Sequence, residues 1–475
     1  MCGIIGISGK SDAVNAGINA LLTIHGRGDQ GSGIAGPVDG KIITIKGKGE
    51  ITNIKTEAMQ ALGKCTAVLA HCRYGTAGKN LIENVQPFVS DSEQLAIAHN
   101  GQIVGSDEFR SDLEKQGVIF QSTSDSEVVL KLFERAKGDN VITKVLAVLN
   151  SLDRAYALAI LWNGYLIGAC DRHGYHPLTL GHFAHDGGGH IIASEDVAFG
   201  PVGAVTIRDV KPGQVVIVSP EQDVSSYRLD NIPKESKRCS FNLPYTARPD
   251  SRIWGRSVSK VRKRLGVAAF EEMRHSGILP VIDVISPVLD SGRTATLAFA
   301  NAYTKHRIME IIRHGGLQAL ERIDLDSLFP HDYGINRAHH RRNFQLDDQN
   351  MRDFFIMLKH GVDRAVVNGK RVLIGDDTVV RSTTARRIIV ALRQFGATEV
   401  HWVSFAPPIL ASCPYGGTET RDESLLIAAH HTTDEIADII GADSLYYLSL
   451  ERYQSIIDDG PGYCFACMLG HNNSQ

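Results

Sequence analysis

Cys2 follows directly on Met1 and opens the run Cys2-Gly3-Ile4-Ile5. A small second residue normally permits removal of the initiator methionine. Loss of Met1 would leave a thiol and a free α-amino group on one residue. An α-amine titrates at about 7.7–8.0 and can accept a proton at physiological pH. The thiolate is the attacking species, and a base on the same residue removes the need for a separate histidine. The plainer reading of Cys2 is a small buried side chain at a strand start. Four clusters keep it company. His25 to Gly33 is a glycine-rich turn holding Arg27; His71-Cys72-Arg73-Tyr74-Gly75-Thr76 and His99-Asn100-Gly101-Gln102 each begin at the end of a strand; Ser124-Asp125-Ser126-Glu127 opens a helix.

A second chemistry-bearing stretch runs from Arg371 to Thr384. An apolar strand ends in two adjacent acids, Asp376 and Asp377. A loop carrying Thr378, Arg381, Ser382, Thr383 and Thr384 then feeds a helix N-terminus. Ligands of open α/β sheets bind at the carboxyl ends of strands. Helix N-termini offer free amides and a favourable dipole to phosphate, and neighbouring acids can take sugar hydroxyls. The alternative is an ordinary strand–loop–helix with surface acids. Cys464-Phe465-Ala466-Cys467 is a lone Cys-x-x-Cys, open to readings as core or as a zinc corner.

These residues need elements to hold them. The first half reads as short strands and turns: a strand at the N-terminus, then Val68–Ala70, Leu95–Ala98 and Tyr156–Trp162, with a hairpin at Asp186–Gly189. Helices are expected near Val14–Ile24 and Ser126–Ala136, giving stacked sheets with helices outside. From about Ser219 to Lys237 apolar periodicity fades, so a boundary is set there, dividing the chain into 1–232 and 233–475. Beyond it Leu279–Ile285 reads as a strand buried on both faces and Arg293–Tyr303 as a helix. Arg371–Ile374 is another strand, Thr384–Phe395 a helix stopping at Gly396, Glu399–Phe405 a third strand, and Ala437–Ile440 is helical. That βαβ rhythm predicts a parallel sheet.

Composition sets the outer bounds. The 475 residues carry 50 Lys+Arg against 53 Asp+Glu, a net charge of −3, and 43% are hydrophobic. The near balance argues against an electrostatic nucleic-acid binder. No apolar run reaches the roughly 18 residues of a membrane span, and the most apolar stretch is broken by the turn signal Asn163-Gly164. The N-terminus lacks the pattern of a signal peptide. Eight cysteines are too few for a secreted disulfide scaffold. The expectation is a cytoplasmic protein with reduced thiols, among which Cys65, Cys72 and Cys170 read as core.

The initial Cys-Gly-Ile, the Arg-Gly turn, Arg73-Tyr74-x-Thr76, Asn100-Gly101 and Ser124-Asp125 occur in the order found in the class II glutamine amidotransferases, which the first half resembles. The resemblance implies an N-terminal-nucleophile hydrolase, an αββα sandwich. It implies Cys2 as nucleophile on the glutamine side-chain amide, with Asn100 and the Gly101 N–H stabilising the oxyanion. Arg73 would hold the substrate α-carboxylate and Asp125 its α-ammonium, while Arg27, Tyr74 and Thr76 shape the pocket. Asp29-Gln30 departs from the family's usual order of Gln before an acid. An ion pair of Arg73 with Asp125 is the structural alternative.

The stretch Asp376-Asp377-Thr378-Val379-Val380-Arg381 resembles the loop of type I phosphoribosyltransferases, and within them the glutamine phosphoribosylpyrophosphate amidotransferases. Ser286 to Gly292 is similar to their pyrophosphate loop, with Asp290 and Ser291 inside it, and Ala247-Arg248-Pro249-Asp250-Ser251 and Ala442-Asp443-Ser444-Leu445 are further matches. The resemblance implies a parallel-sheet second domain in which Asp376 and Asp377 hold ribose hydroxyls, the residues Thr378 to Thr384 hold the 5-phosphate, and Mg2+ bridges pyrophosphate and ribose oxygens. It implies a 4Fe-4S cluster on Cys239, Cys413, Cys464 and Cys467, purine nucleotide inhibitors and a homo-oligomer, commonly a tetramer. The implied reaction hydrolyses glutamine and passes ammonia to C1 of phosphoribosyl pyrophosphate, the glycosyltransferase step that opens purine synthesis. Three departures stand out: Ser382 replaces a glycine, Gly375 replaces an apolar residue, and the lid, Asn336 to Phe344, is one residue longer and lacks the family's Tyr and Thr. They keep open a diverged paralogue with a different phosphorylated acceptor. A non-enzymatic nucleotide-binding regulator is the reading from another class.

Overall fold

The N-terminal strand Gly3–Ser8 is buried along its whole length. It lies between Ala67–Arg73 and His190–Ala193 in a seven-stranded antiparallel sheet. Gly31–Val38, Lys41–Lys48, Thr179–Phe183 and Ala204–Asp209 complete that sheet. A six-stranded antiparallel sheet runs in the order Val224–Arg228, Gln214–Val218, Tyr165–Cys170, Tyr156–Trp162, Leu95–Gly101, Phe88–Val89. Strand periodicity explains how they stack. Ile4 points into the layer between the sheets, against small partners such as Ala98 and Ala159, while Ile5 and Ile7 point outward beneath the helix Ala13–Thr23. Asp125–Glu134 and Val141–Ser151 cover the far side of the second sheet. The layers are therefore αββα. The computed structural model describes residues 1–74, 81–184, 188–323, 328–337, 360–417, 423–458 and 462–470.

The second half is built on a parallel sheet of Val284–Pro287, Arg371–Asp376, Glu399–Ser404 and Ser444–Tyr447. Leu373 faces the helices Val258–His275 and Arg293–Leu320, while Val372 and Ile374 face Ser382–Gln394 and Thr433–Ile440. Burial on both faces is why that strand is an unbroken apolar run. All strands point their carboxyl ends the same way, which places Pro287, Asp376 and Ser404 along one edge.

Several expectations change. The first half carries further helices at Lys55–Leu62, Ser106–Lys115 and Val141–Ser151. The run from Leu279 shortens to the strand Val284–Pro287, because Val281 is 62% exposed and only the later residues pair with Val372 to Gly375. The helix beginning at Arg293 continues to Leu320, with non-helical geometry at Gly316. The stretch chosen as a boundary contains the strand Val224–Arg228, an edge strand with an alternately exposed face and hence weak periodicity. Among the described residues no helix is long and apolar enough to cross a membrane.

Candidate active sites

Cys2 sits just ahead of the central strand, in a shell of buried polar groups. Met1 precedes it here, so its nitrogen is a peptide N–H, standing where an α-amine would be once Met1 is removed. That N–H donates to Asn100 Oδ1 at 3.0 Å. The Tyr74 N–H points at Cys2 Sγ at 3.4 Å. Arg27 Nε donates to the Cys2 carbonyl at 2.8 Å, and its Nη1 meets Glu195 Oε1 at 2.6 Å. Asn100 is fully buried, and its Nδ2 has no hydrogen-bond partner among the described residues. A donor left unpaired in the interior costs about 1–3 kcal/mol, so one beside a cysteine thiol marks a candidate functional site. Gly101 next to it has φ of +136°, and a Cβ there would lie 2.0 Å from the Ala155 carbonyl oxygen. Only glycine fits.

The other candidates for this site converge. Arg73 ends the strand Ala67–Arg73, is 5% exposed and donates Nη1 to the Asn84 carbonyl at 2.5 Å. Burial lowers its pKa, opposed by Cys2 and Asp125, which lie within electrostatic reach. Asp125 opens the helix Asp125–Glu134, whose N-cap Ser124 accepts from the Ser126 N–H, and its Oδ2 accepts from the Ile103 N–H at 2.8 Å. Thr76 lies outside the described residues. Cys72 is a core thiol, pushed up to about 12 by burial, and burial likewise raises Cys65 and Cys170.

On the second half, the strand Arg371–Asp376 delivers both acids into the interior, at 8% and 5% exposed. Asp377 accepts a hydrogen bond from Ser291 Oγ, and the Asp377 N–H donates to Asp376 Oδ1 at 2.9 Å. Burial holds both carboxyls above the usual range, and Asp377 raises Asp376 further. Among the described residues Thr378 Oγ1 is buried with no partner, and the helix Ser382–Gln394 has no side-chain cap on its first amides. Gly375 has a local reason: a Cβ there would stand 2.2 Å from Thr296 Oγ1 and 2.9 Å from the Phe405 ring.

A cavity of about 250 Å³ reaches from Met1 and Tyr74, the neighbours of Cys2, to the two acids of the second half; Cys2 itself is not among its walls. Phe241 and Tyr245 line it between them, and Val288, Ser291, Asp376, Asp377, Thr378, Arg381 and Thr384 wall it on the second half. Ser382 and Thr383 stand outside these walls, and Asp290 is exposed and paired with Arg293 at 3.1 Å. The lid from residue 338 onward lies outside the described residues.

The four remaining cysteines come together behind the glutamine side. Arg238–Cys239 pairs in parallel with Tyr463–Cys464, setting Cys239 opposite Cys464. The Gly417 N–H points at Cys413 Sγ at 3.3 Å, and a Cβ on Gly417 would stand 3.1 Å from the sulfurs of both Cys239 and Cys413. Cys467 lies within electrostatic reach of the other three, which together with burial raise its pKa. All four are free thiols. Among the described residues no three His, Cys, Asp or Glu side chains are gathered tightly enough to hold a metal ion.

Sequence reasoning did not single out Glu195 and Asn242, buried polar residues that bridge the halves, or Arg262, which is buried within the second. Arg27 lies 215 positions from Asn242, and the nearest carbonyl held by Arg262 is 15 positions away, beyond any local pattern. The one available signal was charge inside a low-polarity context, as in Ala193-Ser194-Glu195 after a buried strand.

Residues 71–200 match the family described as "Glutamine amidotransferase domain". Over 99% of its length the chain is 35% identical to the amidophosphoribosyltransferase of Bacillus subtilis, covering 93% of that protein. It is 36% identical to the one from Methanocaldococcus jannaschii, covering 97%. Its structure is similar to that of the B. subtilis glutamine phosphoribosylpyrophosphate amidotransferase complexed with ADP and GMP, with a TM-score of 0.84, 34% identity, and 99% and 97% of the two chains covered.

Proposed function

The chain belongs to the amidophosphoribosyltransferase family, and from that premise we propose that it is a glutamine-dependent amidophosphoribosyltransferase catalysing the first step of purine synthesis. Glutamine and water give glutamate and ammonia; ammonia and phosphoribosyl pyrophosphate give 5-phosphoribosylamine and pyrophosphate. One observation carries the reading: a single cavity is walled by Tyr74 beside the thiol and by Asp376 and Asp377. Ammonia confined there stays unprotonated and nucleophilic, as it would not in bulk water at neutral pH. Likeness along both halves disfavours a different acceptor. The division is 1–232 for the glutaminase and 233–475 for the phosphoribosyl half.

At the first site, removal of Met1 turns the Cys2 nitrogen into an amine that takes the thiol proton. Sγ then attacks the glutamine amide, ammonia leaves, and water cleaves the resulting thioester. Asn100 Nδ2 and the Gly101 N–H donate to the oxyanion, where losing one donor typically costs about 10²–10³ in rate. Arg73 receives the α-carboxylate and Asp125 the α-ammonium; Arg27, Tyr74 and Thr76 shape the pocket.

At the second site, Asp376 and Asp377 take the ribose hydroxyls, and Thr378, Arg381 and Thr384, with the amides of Ser382 and Thr383, hold the 5-phosphate. Asp290 and Ser291 flank the pyrophosphate. The unpartnered Thr378 hydroxyl and the two mutually repelling acids fit a divalent cation shared with substrate oxygens, since Mg2+ needs only one or two carboxylates beside phosphates. Bound there, Mg2+ would neutralise charge on the departing pyrophosphate.

The convergence of Cys239, Cys413, Cys464 and Cys467, with Gly417 leaving room between two sulfurs, supports a 4Fe-4S cluster. Four irons and four sulfides per chain in anaerobically purified protein are expected; zinc or no metal would overturn this. The reading extends to purine nucleotide inhibition, a homotetramer checked by sedimentation, and a cytoplasmic location. The deciding assay combines purified protein, glutamine and phosphoribosyl pyrophosphate. Phosphoribosylamine and pyrophosphate should appear together, and glutamate without pyrophosphate would sink the reading.

A further inference from the structure

Two charged side chains lie almost wholly buried between the sites without a part in either: Glu195 at 0% and Arg262 at 2% exposed. Taking an ion out of water costs several kcal/mol unless geometry and hydrogen bonds compensate, so their partners show what they hold. Glu195 Oε1 receives Arg27 Nη1. Its Oε2 accepts from the Arg248 N–H at 2.9 Å and from Ser251 Oγ. Arg27, besides gripping the Cys2 carbonyl, reaches Asn242 Oδ1 at 3.4 Å. One cluster thus ties the backbone of the nucleophile to Asn242, Arg248 and Ser251.

Arg262 grips the same segment from the other side. It donates to the carbonyls of Leu243 at 2.9 Å, Tyr245 at 3.1 Å and Ala247 at 2.6 Å, and to that of Ser291 at 3.4 Å. Ser291 Oγ in turn donates to Asp377. The charges that favour the Arg262 cation in this dry setting are Asp377 of the second site and Glu195. Residues 240–251 are therefore a strap pinned by Glu195 towards Cys2 and by Arg262 towards Asp377. Its Phe241 and Tyr245 side chains form the cavity wall between the two.

We propose that this strap, clamped by Glu195 and Arg262, couples the two sites: it keeps the cavity wall in register with both, so that ammonia freed at Cys2 is delivered to the sugar rather than lost. The inference rests on the amidophosphoribosyltransferase reading. Glu195 and Arg262 are positioning residues that touch neither substrate.

The test uses the full chain and measures glutamate against phosphoribosylamine, together with synthesis from added ammonium. The unaltered chain should form the two products one to one. Glu195→Gln and Arg262→Gln should release about fivefold or more glutamate per phosphoribosylamine, the low end of typical inter-site coupling, while ammonium-driven synthesis changes less than that. Ser251→Ala removes one hydrogen bond and leaves both charges in place. It should shift the ratio the same way by less, and it decides the matter if Glu195→Gln does not fold. A one-to-one ratio in a folded Glu195→Gln or Ser251→Ala chain, or equal loss of glutamine- and ammonium-driven synthesis, overturns the proposal. An unaltered chain that makes no phosphoribosylamine from either nitrogen source overturns the functional reading instead.

Discussion

Around Cys2 the buried polar groups are held before any substrate arrives. The Cys2 nitrogen, the Arg27 guanidinium and the Glu195 carboxylate all have short partners, and the Asn100 Nδ2 donor stands ready. Around Asp376 the opposite holds. Two carboxyls are buried side by side, each penalised by desolvation, beside an unpartnered threonine hydroxyl and an uncapped helix start. Under the proposed function, the first site is preorganised for charge that develops only in a transition state, and the second is poised for a ligand that brings its own cation and phosphates. Identical burial thus has two meanings, told apart by whether the protein or the substrate supplies the compensating charge.

The comparison can be broken most severely at the nucleophile. Cys2→Ala should lower glutamine-driven synthesis on the order of 10³-fold or more, as loss of a nucleophile typically does, while synthesis from added ammonium persists; paired assays with the two nitrogen sources check it. Asn100→Ala should lower kcat for glutamine hydrolysis by about 10²–10³ with a smaller change in KM, because the donor matters in the transition state; steady-state glutamate release reads this out.

Acidity should pull the halves apart. Burial lowers His71 and His176 to about 3. Their contribution to stability is present above the unfolded histidine pKa and is lost as pH falls from there, on the order of 1 kcal/mol per pH unit each. Asp171, raised to about 6 by burial, opposes this in part. Asp376 and Asp377 have raised pKa values, so their contribution is present at low pH and is lost as pH rises through those values. Lowering pH from neutrality should therefore weaken amide-exchange protection of Tyr156–Trp162 relative to Arg371–Asp376, after correction for intrinsic rates. Equal shifts would contradict it. The mildest probe is Ser382→Gly. The Ser382 side chain stands outside the cavity walls and glycine keeps the backbone N–H assigned to the phosphate, so KM for phosphoribosyl pyrophosphate should move by about twofold or less, within the ±0.5 kcal/mol usual for side-chain changes away from such contacts.

What the sequence made legible follows the range of the interactions. Cys2, Asn100, Gly101 and the Asp376-Asp377 pair could be picked out because each sits in a short local motif that a family resemblance can assign; residue type alone leaves Cys2 as core and the acids as surface acids open. The parallel strand Arg371–Asp376 was legible because burial on both faces leaves an unbroken apolar run. The helix Lys55–Leu62 was not, since it buries only Ala58 and Leu62 and has no side-chain cap. The helix Val141–Ser151 could have been found from its Asn140–Thr143 capping box. Glu195 and Arg262 were out of reach, because their meaning lies in groups brought together only by the complete fold.

Gly416 presses on the Gly101 backbone: a Cβ on it would stand 2.9 Å from the Gly101 carbonyl carbon. Tyr415 beside it stacks on Tyr175, and its carbonyl receives His176 Nε2 at 2.8 Å. A loop of the second half thus braces the backbone of Gly101 in the first. Under the proposed function, a chain truncated before residue 413 should hydrolyse glutamine poorly, because the glutaminase is completed only by the half that accepts its ammonia.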